Sequence, residues 1–146
     1  MKCRLIAAGT RLPAWINSGF QDYQKRLRKP LALELEEIAV ADTAREGAAM
    51  LKAVAAADHV VALEVGGTAM STAALSAWLA RRLETGKPLA LLVGGPDGLA
   101  DSCRARADQT WSLSPLTLPH GLVRVIVAEQ LYRGMSLLAG HPYHRA

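Results

Sequence analysis

Cysteine is nearly absent from this chain: Cys3 and Cys103 are the two among 146 residues, and they lie far apart with no motif around either. That excludes a disulfide framework and any cysteine-based metal site, and it suits a reducing, cytoplasmic home. Long hydrophobic runs are missing too. No apolar stretch approaches a membrane span, and Leu5-Ile6-Ala7-Ala8 is too brief for a signal-peptide core. Aromatic residues are scarce at 5%, so the apolar half of the composition must build its core from Ala, Leu and Val, which pack closely as helices on a sheet. Acidic residues are lacking at the start, where Asp22 stands alone against seven lysines and arginines in the first 30 residues. Nucleotide signatures are absent as well. There is no Gly-x-x-x-x-Gly-Lys-Ser/Thr, and Gly94-Gly95-Pro96-Asp97-Gly98 lacks the Gly-x-Gly-x-x-Gly spacing.

What remains is a chain of one-domain length with a net charge of +4. That balance is compatible with a nucleic-acid partner without requiring one. Its densest basic run is Lys25, Arg26, Leu27, Arg28, Lys29, which reads either as a solvated helix end or as a phosphate contact.

Hydrophobic spacing predicts a strand over 3–8 and a helix over 13–27, with Trp15, Ile16, Phe20, Tyr23 and Leu27 on one apolar face. Pro30 ends that segment. A half-exposed strand follows over 31–40, then a helix from Asp42 or Thr43 to about 56. The second half repeats the rhythm: strand 60–65 ending at Gly66-Gly67, and a helix from Ser71 to about 84 with Leu75, Trp78, Leu79 and Leu83 inward. Strand 88–93, a short helix over 99–107, strand 110–113 and a final helix over 121–139 complete it. Alternating strands and helices with near-continuous apolar strands predict a single α/β domain over 1–146, with a mainly parallel sheet flanked by helices.

Three of these strands run into unusual loops: Val65-Gly66-Gly67-Thr68, Val93-Gly94-Gly95-Pro96-Asp97-Gly98, and the segment from Ser112 to Pro119. In a parallel sheet all three meet at the carboxyl edge, where such folds bind ligands. The competing reading is that each glycine pair only turns the chain. Pro96 lacks an amide that a phosphate cradle would use, and the third loop is largely apolar. Such a wall suits an adenosine-like ring better than a triphosphate.

The final helix is apolar on more than one face, which points to burial against a second subunit as well as the sheet. Its charges should be paired, with Glu129 and Arg133 placed for an i,i+4 bridge. Three of the four histidines fall in the last stretch: His120, His141 and His144. His120 reads as a helix cap or interface group in competition with a base, while His141 and His59 read as solvated.

Taken together, Gly94-Gly95-Pro96-Asp97-Gly98, Leu113-Ser114-x-Leu116-Thr117-Leu118-Pro119-His120, Glu129-Gln130-Leu131-Tyr132-Arg133 and Pro142-Tyr143-His144-Arg145 resemble one family over the whole chain. It is the ribosomal RNA large-subunit methyltransferase H family of the SPOUT class, which methylates N3 of a pseudouridine in 23S rRNA. The resemblance implies a SPOUT-type fold with a C-terminal trefoil knot, which ordinary topology rules would not suggest. It implies S-adenosylmethionine as cofactor, contacted by Leu63, Gly95, Ser114, Pro115, Leu116, Thr117, Leu118 and Pro119. It also implies a homodimer in which the tail of one subunit completes the other's site, and a 23S rRNA substrate presented by the ribosome. No membrane and no metal are implied. Two departures stand out: Thr68 occupies a position where many relatives carry Lys or Arg, and the segment around 42–58 is shorter than in many of them.

Within that reading, His144 suits the general base for the imide proton, since imidazole titrates near pH ~6.5. Arg145 and Arg133 suit the phosphate or the developing anion, and Tyr143 suits stacking on a base. Two alternatives stay open. A non-enzymatic ribosome-binding protein would explain the basic start but not the three loops, and a SPOUT methyltransferase with another RNA substrate would share them.

Overall fold

The computed structural model describes residues 1–144, the side chain of His144 excepted. Among them, five strands alternate with five α-helices: β1 (Lys2–Ala8), α1 (Ala14–Arg26), β2 (Ala32–Ile38), α2 (Thr43–Ala53), β3 (His59–Ala69), α3 (Thr72–Thr85), β4 (Leu89–Val93), α4 (Asp101–Arg106), β5 (Gln109–Ser112) and α5 (His120–Leu138). A 3-10 turn over Pro142–His144 follows. The strands form one sheet in the order β2-β1-β4-β3-β5, and every pairing is parallel. The α/β expectation is therefore met.

The two central strands explain why their sequences are apolar almost throughout. β4 is buried at all five positions, and Leu5 and Ile6 of β1 are both fully buried although they point to opposite faces. One face packs Phe20, Leu75, Leu79, Val127 and Leu131 from α1, α3 and α5, and the other packs Met50 and Cys103 from α2 and α4. Each such aliphatic side chain contributes about 1.5–3 kcal/mol relative to exposure. Helix starts follow the expected chemistry: the Asp42 carboxylate accepts from Arg45 N at 2.9 Å and the Ser71 hydroxyl from Ala74 N at 3.0 Å. Burial pushes the Cys3 thiol up to about 12 and raises that of Cys103 too, so both stay protonated and inert at neutral pH. No helix among the described residues is long and apolar enough to cross a membrane.

Four expectations are corrected. Gly66-Gly67 does not end β3: a register shift between Leu63 and Thr68 lets the strand resume pairing with β5 through Thr68 and Ala69. Trp15, expected on the buried face of α1, is 63% exposed. The inward stripe of that helix is carried by Ile16 and Phe20. His59 is not solvated. Its Nε2 lies 2.9 Å from Gln109 Oε1 and its Nδ1 3.0 Å from an Arg82 nitrogen, because Gln109, one strand over, also accepts from the Trp78 indole N–H. Finally α2 stops at Ala53 rather than near residue 56, since Val54 turns extended once its N–H has bonded Met50 O.

Candidate functional site

Leu63–Val65 of β3 and the loops after β4 and β5 converge to enclose a cleft of about 510 Å³, and Gly66, Gly67 and Thr68 of the first expected loop do not line it. That is within the range of small-molecule sites. After β4 the chain turns at once: Gly98 N donates to Gly95 O at 3.0 Å. Gly94 is required there, because a Cβ on it would lie 2.4 Å from the carbonyl carbon of Gly98. Gly95 sits against the buried Glu46 carboxylate, whose Oε2 also accepts from Ala41 N at 3.0 Å. After β5 the turn is made by hydroxyls. Ser112 Oγ donates to Ser114 O at 3.1 Å, and Leu116 N donates to Ser114 Oγ at 3.0 Å, which holds the backbone of the third loop in a fixed bend.

Of the residues proposed from sequence to hold a cofactor, Leu63, Gly95, Ser114, Leu116, Thr117, Leu118 and Pro119 all line this cleft. Pro115 is exposed and does not. Leu116, at 71% exposure, projects as an apolar flap rather than joining the core. Sequence reasoning missed Glu64, Trp111, His120 and Val123, which line the same space. Glu64 could have been noticed as the one acid in an otherwise apolar strand. Its carboxylate is paired with Arg104 Nε, a hydrogen bond that raises the guanidinium's pKa and keeps it charged. Trp111 gave no signal, because its role depends on the register of β5 against β3.

The start of α5 forms one rim of the cleft through His120 and Val123. No side chain caps this helix end. Its first-turn amides and positive dipole are therefore available to a ligand carboxylate. One turn on, Arg124 is 1% exposed and ties three elements together. It bonds Glu37 Oε2 at 2.7 Å, Gly9 O at 2.8 Å and Ala8 O at 3.4 Å. The His120 ring packs over Gly9 beside it.

At the far end of α5, Arg133 Nε donates to Glu129 Oε1 at 2.6 Å, the i,i+4 bridge expected from spacing. That hydrogen bond raises the Arg133 pKa. Tyr143 packs edge-on against Tyr132, ring centroids 4.5 Å apart, with the Arg133 guanidinium 5.0 Å from its centroid. Tyr143 and Arg133 are thus brought together. The side chain of His144 and the whole of Arg145, assigned from sequence to catalysis, lie outside the described residues.

This arrangement has known counterparts. A family model described as "Predicted SPOUT methyltransferase" matches residues 1–144. The chain belongs to the SPOUT methyltransferase family. Among SPOUT relatives, the ribosomal RNA large subunit methyltransferase H of Thioalkalivibrio sulfidiphilus is 54% identical over 155 aligned positions, covering 99% of both chains. The protein of the same name from Hahella chejuensis is 51% identical, with the same coverage. Both alignments span more positions than this chain has residues, so the SPOUT relatives carry residues that it lacks. In shape the chain is similar to the SpoU methyltransferase AviRb from Streptomyces viridochromogenes, solved in complex with AdoMet. The TM-score is 0.51 at 14% identity, over 90% of this chain and 57% of that one, a likeness of fold across little more than half of AviRb.

Proposed function

We propose that this SPOUT methyltransferase transfers a methyl group from S-adenosylmethionine to N3 of a pseudouridine in large-subunit ribosomal RNA, on the assembled ribosome and as a homodimer. The observation that carries this reading is the cleft at the carboxyl edge, formed by Leu63–Val65 of β3 and by two of the loops singled out in the sequence, those after β4 and β5. Its residues fit the cofactor. Leu63, Leu116, Leu118 and Trp111 offer apolar walls to an adenine ring, while backbone groups of Gly95 and of residues 114–119 can bond its edge. The uncapped start of α5 suits the cofactor's carboxylate. The large-subunit rRNA substrate is supported by the names of the relatives, and the N3 position by the sequence resemblance. The homodimer is supported by the half-exposed apolar residues Leu122, Ile126 and Leu137 of α5 together with exposed Trp15. The trefoil knot belongs to the same reading. After β5 at the sheet edge, the chain returns as α5 to pack between α3 and α1.

When bound, the cofactor supplies an electrophilic methyl group on a sulfonium. Everything else is positioning and charge. Attack on that methyl by N3 would require the N3 proton to pass to a base. His144 is the candidate base, Arg145 and Arg133 hold the phosphate or the developing imide anion, and Tyr143 belongs to the same substrate edge.

Titration calorimetry with S-adenosylmethionine tests the first step, and absence of binding would sink the enzyme reading. Methyl transfer should be measured on intact ribosomes, free 23S rRNA and tRNA. Label appearing only in tRNA would redirect the substrate. A His144→Ala variant that binds cofactor and keeps the wild-type rate would remove His144 from the role of base.

A further inference from the structure

Glu46 is a buried charge without a matching one. It sits on the first turn of α2 and is 5% exposed. Buried ionised groups are ordinarily paired. The other two among the described residues obey that rule: Asp58 meets Arg4 at 2.6 Å, and Arg124 meets Glu37 at 2.7 Å. No cation of the described residues lies within ion-pair distance of Glu46, and its hydrogen bond is the 3.0 Å contact in which Ala41 N donates to Oε2. The dipole of α2 offers it about +0.5 of an elementary charge, which leaves the rest unneutralised. Its place gives this charge a use. A Cβ on Gly95 would lie 3.1 Å from Oε2 and 3.3 Å from Oε1. Gly95 lines the cleft and Glu46 does not, so a bare glycine backbone stands between the carboxylate and the cleft. Neighbouring acids do not compete. Glu64, which lines the cleft itself, is paired with Arg104, and the two charges largely cancel. Asp97, two residues after Gly95, is exposed and screened by solvent.

We propose that Glu46 is a specificity-determining residue: its buried charge, acting through the Gly95 wall, makes the cleft favour the cationic methyl donor over the neutral thioether left after transfer. This deepens the S-adenosylmethionine reading and rests on it. Loss of the methyl group turns a sulfonium into an uncharged sulfur, while the adenosine and amino-acid ends stay the same. Contacts to those ends hold donor and product alike, so a preference between the two draws on the charge. A cleft of about 510 Å³ is about 8 Å across, so a ligand in it lies within roughly one Debye length of the Gly95 wall. At about 10 Å and an effective dielectric near ~20, one pair of unit charges alters an equilibrium roughly tenfold. Keeping an unpaired carboxylate buried costs stability, and a cationic ligand relieves part of that cost where a neutral one does not. The site thereby sheds its product and reloads with donor.

The test is titration calorimetry with S-adenosylmethionine and with S-adenosylhomocysteine, on the wild type and on Glu46→Gln. The amide oxygen of glutamine can still accept from Ala41 N, so the charge goes while the backbone contact stays. The variant should lose roughly three- to tenfold of the preference for the donor, through a higher Kd for S-adenosylmethionine. Its Kd for S-adenosylhomocysteine should stay within about twofold of the wild type. A purely structural Glu46 would weaken both ligands alike, so an unchanged ratio would overturn the proposal. Asp97→Asn removes an exposed acid close by and should move the ratio less than about twofold. A shift as large as that of Glu46→Gln would reduce the effect to net charge and reject the role of the buried position. If Glu46→Gln does not fold, the wild type decides through the amine analogue of the cofactor, in which a protonated amino group on carbon replaces the methylsulfonium. That analogue should bind more tightly than S-adenosylhomocysteine, and equal or weaker binding would sink the proposal. Wild-type protein that binds none of these ligands would refute the cofactor reading and this inference together. Binding of both donor and product, with the same ratio in Glu46→Gln, would refute the role of Glu46 alone.

Discussion

The two ends of α5 are held in opposite ways. Its first turns are fixed by Arg124, fully buried and bonded to Glu37 and to two main-chain carbonyls at the end of β1. Its last turns are held by aromatic rings and guanidinium groups that remain partly in water, among them an exposed Arg26. A buried charge with several fixed partners resists movement, since displacing it would leave it unpaired in a low dielectric. A partly solvated stack of rings and cations is worth less and opens more easily. The cleft borders the rigid end, and Tyr143 packs against the yielding one. The cleft is thus framed by the end of α5 that is harder to move.

Substitutions should expose this asymmetry. The largest stability loss is expected for Arg124→Met, about 3–5 kcal/mol, because Glu37 and the Ala8 and Gly9 carbonyls all lose their partner. Denaturant titration would measure it, and a loss under ~1 kcal/mol would show that the buried lock is dispensable. Glu37→Gln should cost less, about 1–2 kcal/mol, since Glu37 is one-third exposed and its amide can still accept from Arg124. Glu129→Gln at the other end should cost under about 1 kcal/mol in the same titration, being a partly solvated i,i+4 pair. Its effect should appear in kcat. If Glu129→Gln proved as destabilising as Arg124→Met, the contrast between the ends would fail.

A pH experiment gives a subtler result. The native state raises the Tyr143 pKa, chiefly by desolvation, so it favours the neutral phenol. The resulting stability is fully present below the ordinary phenol range near pH ~10 and is lost as pH rises through the raised native value. Alkaline unfolding should therefore be less steep in Tyr143→Phe than in the wild type. Equal slopes would mean that the phenol is not desolvated in the native protein.

Much of this was legible before the fold was known. The alternation of apolar strands and periodic helices pointed to the parallel sheet, and the loops after strands 88–93 and 110–113 marked the edge that carries the cleft. Glu129 and Arg133 could be paired because four residues on a helix is a local relationship. What stayed hidden was nonlocal. Arg124 meets Ala8, Gly9 and Glu37 across most of the chain, and no spacing rule reaches that far. His59 looked like a surface histidine until β5 placed Gln109 beside it. Trp15 follows the periodicity of α1 and still faces outward. Gly66-Gly67 looked like a turn because glycine permits turns, whereas the structure uses the pair inside a strand that shifts register and continues.

The order β2-β1-β4-β3-β5 also governs how the chain must assemble in time. Parallel neighbours cannot be joined by hairpins, so each pairing waits for a crossover to close. The central contact, Cys3 against Leu89, joins distant parts of the chain. Such nonlocal topologies fold on the slow side for their size, over milliseconds to seconds. Stopped-flow refolding should therefore show no microsecond phase that recovers the full native signal. The cleft draws on residues 63–65, 93–99 and 111–123, so its edge is complete only once β5 and the start of α5 have joined β3 and β4.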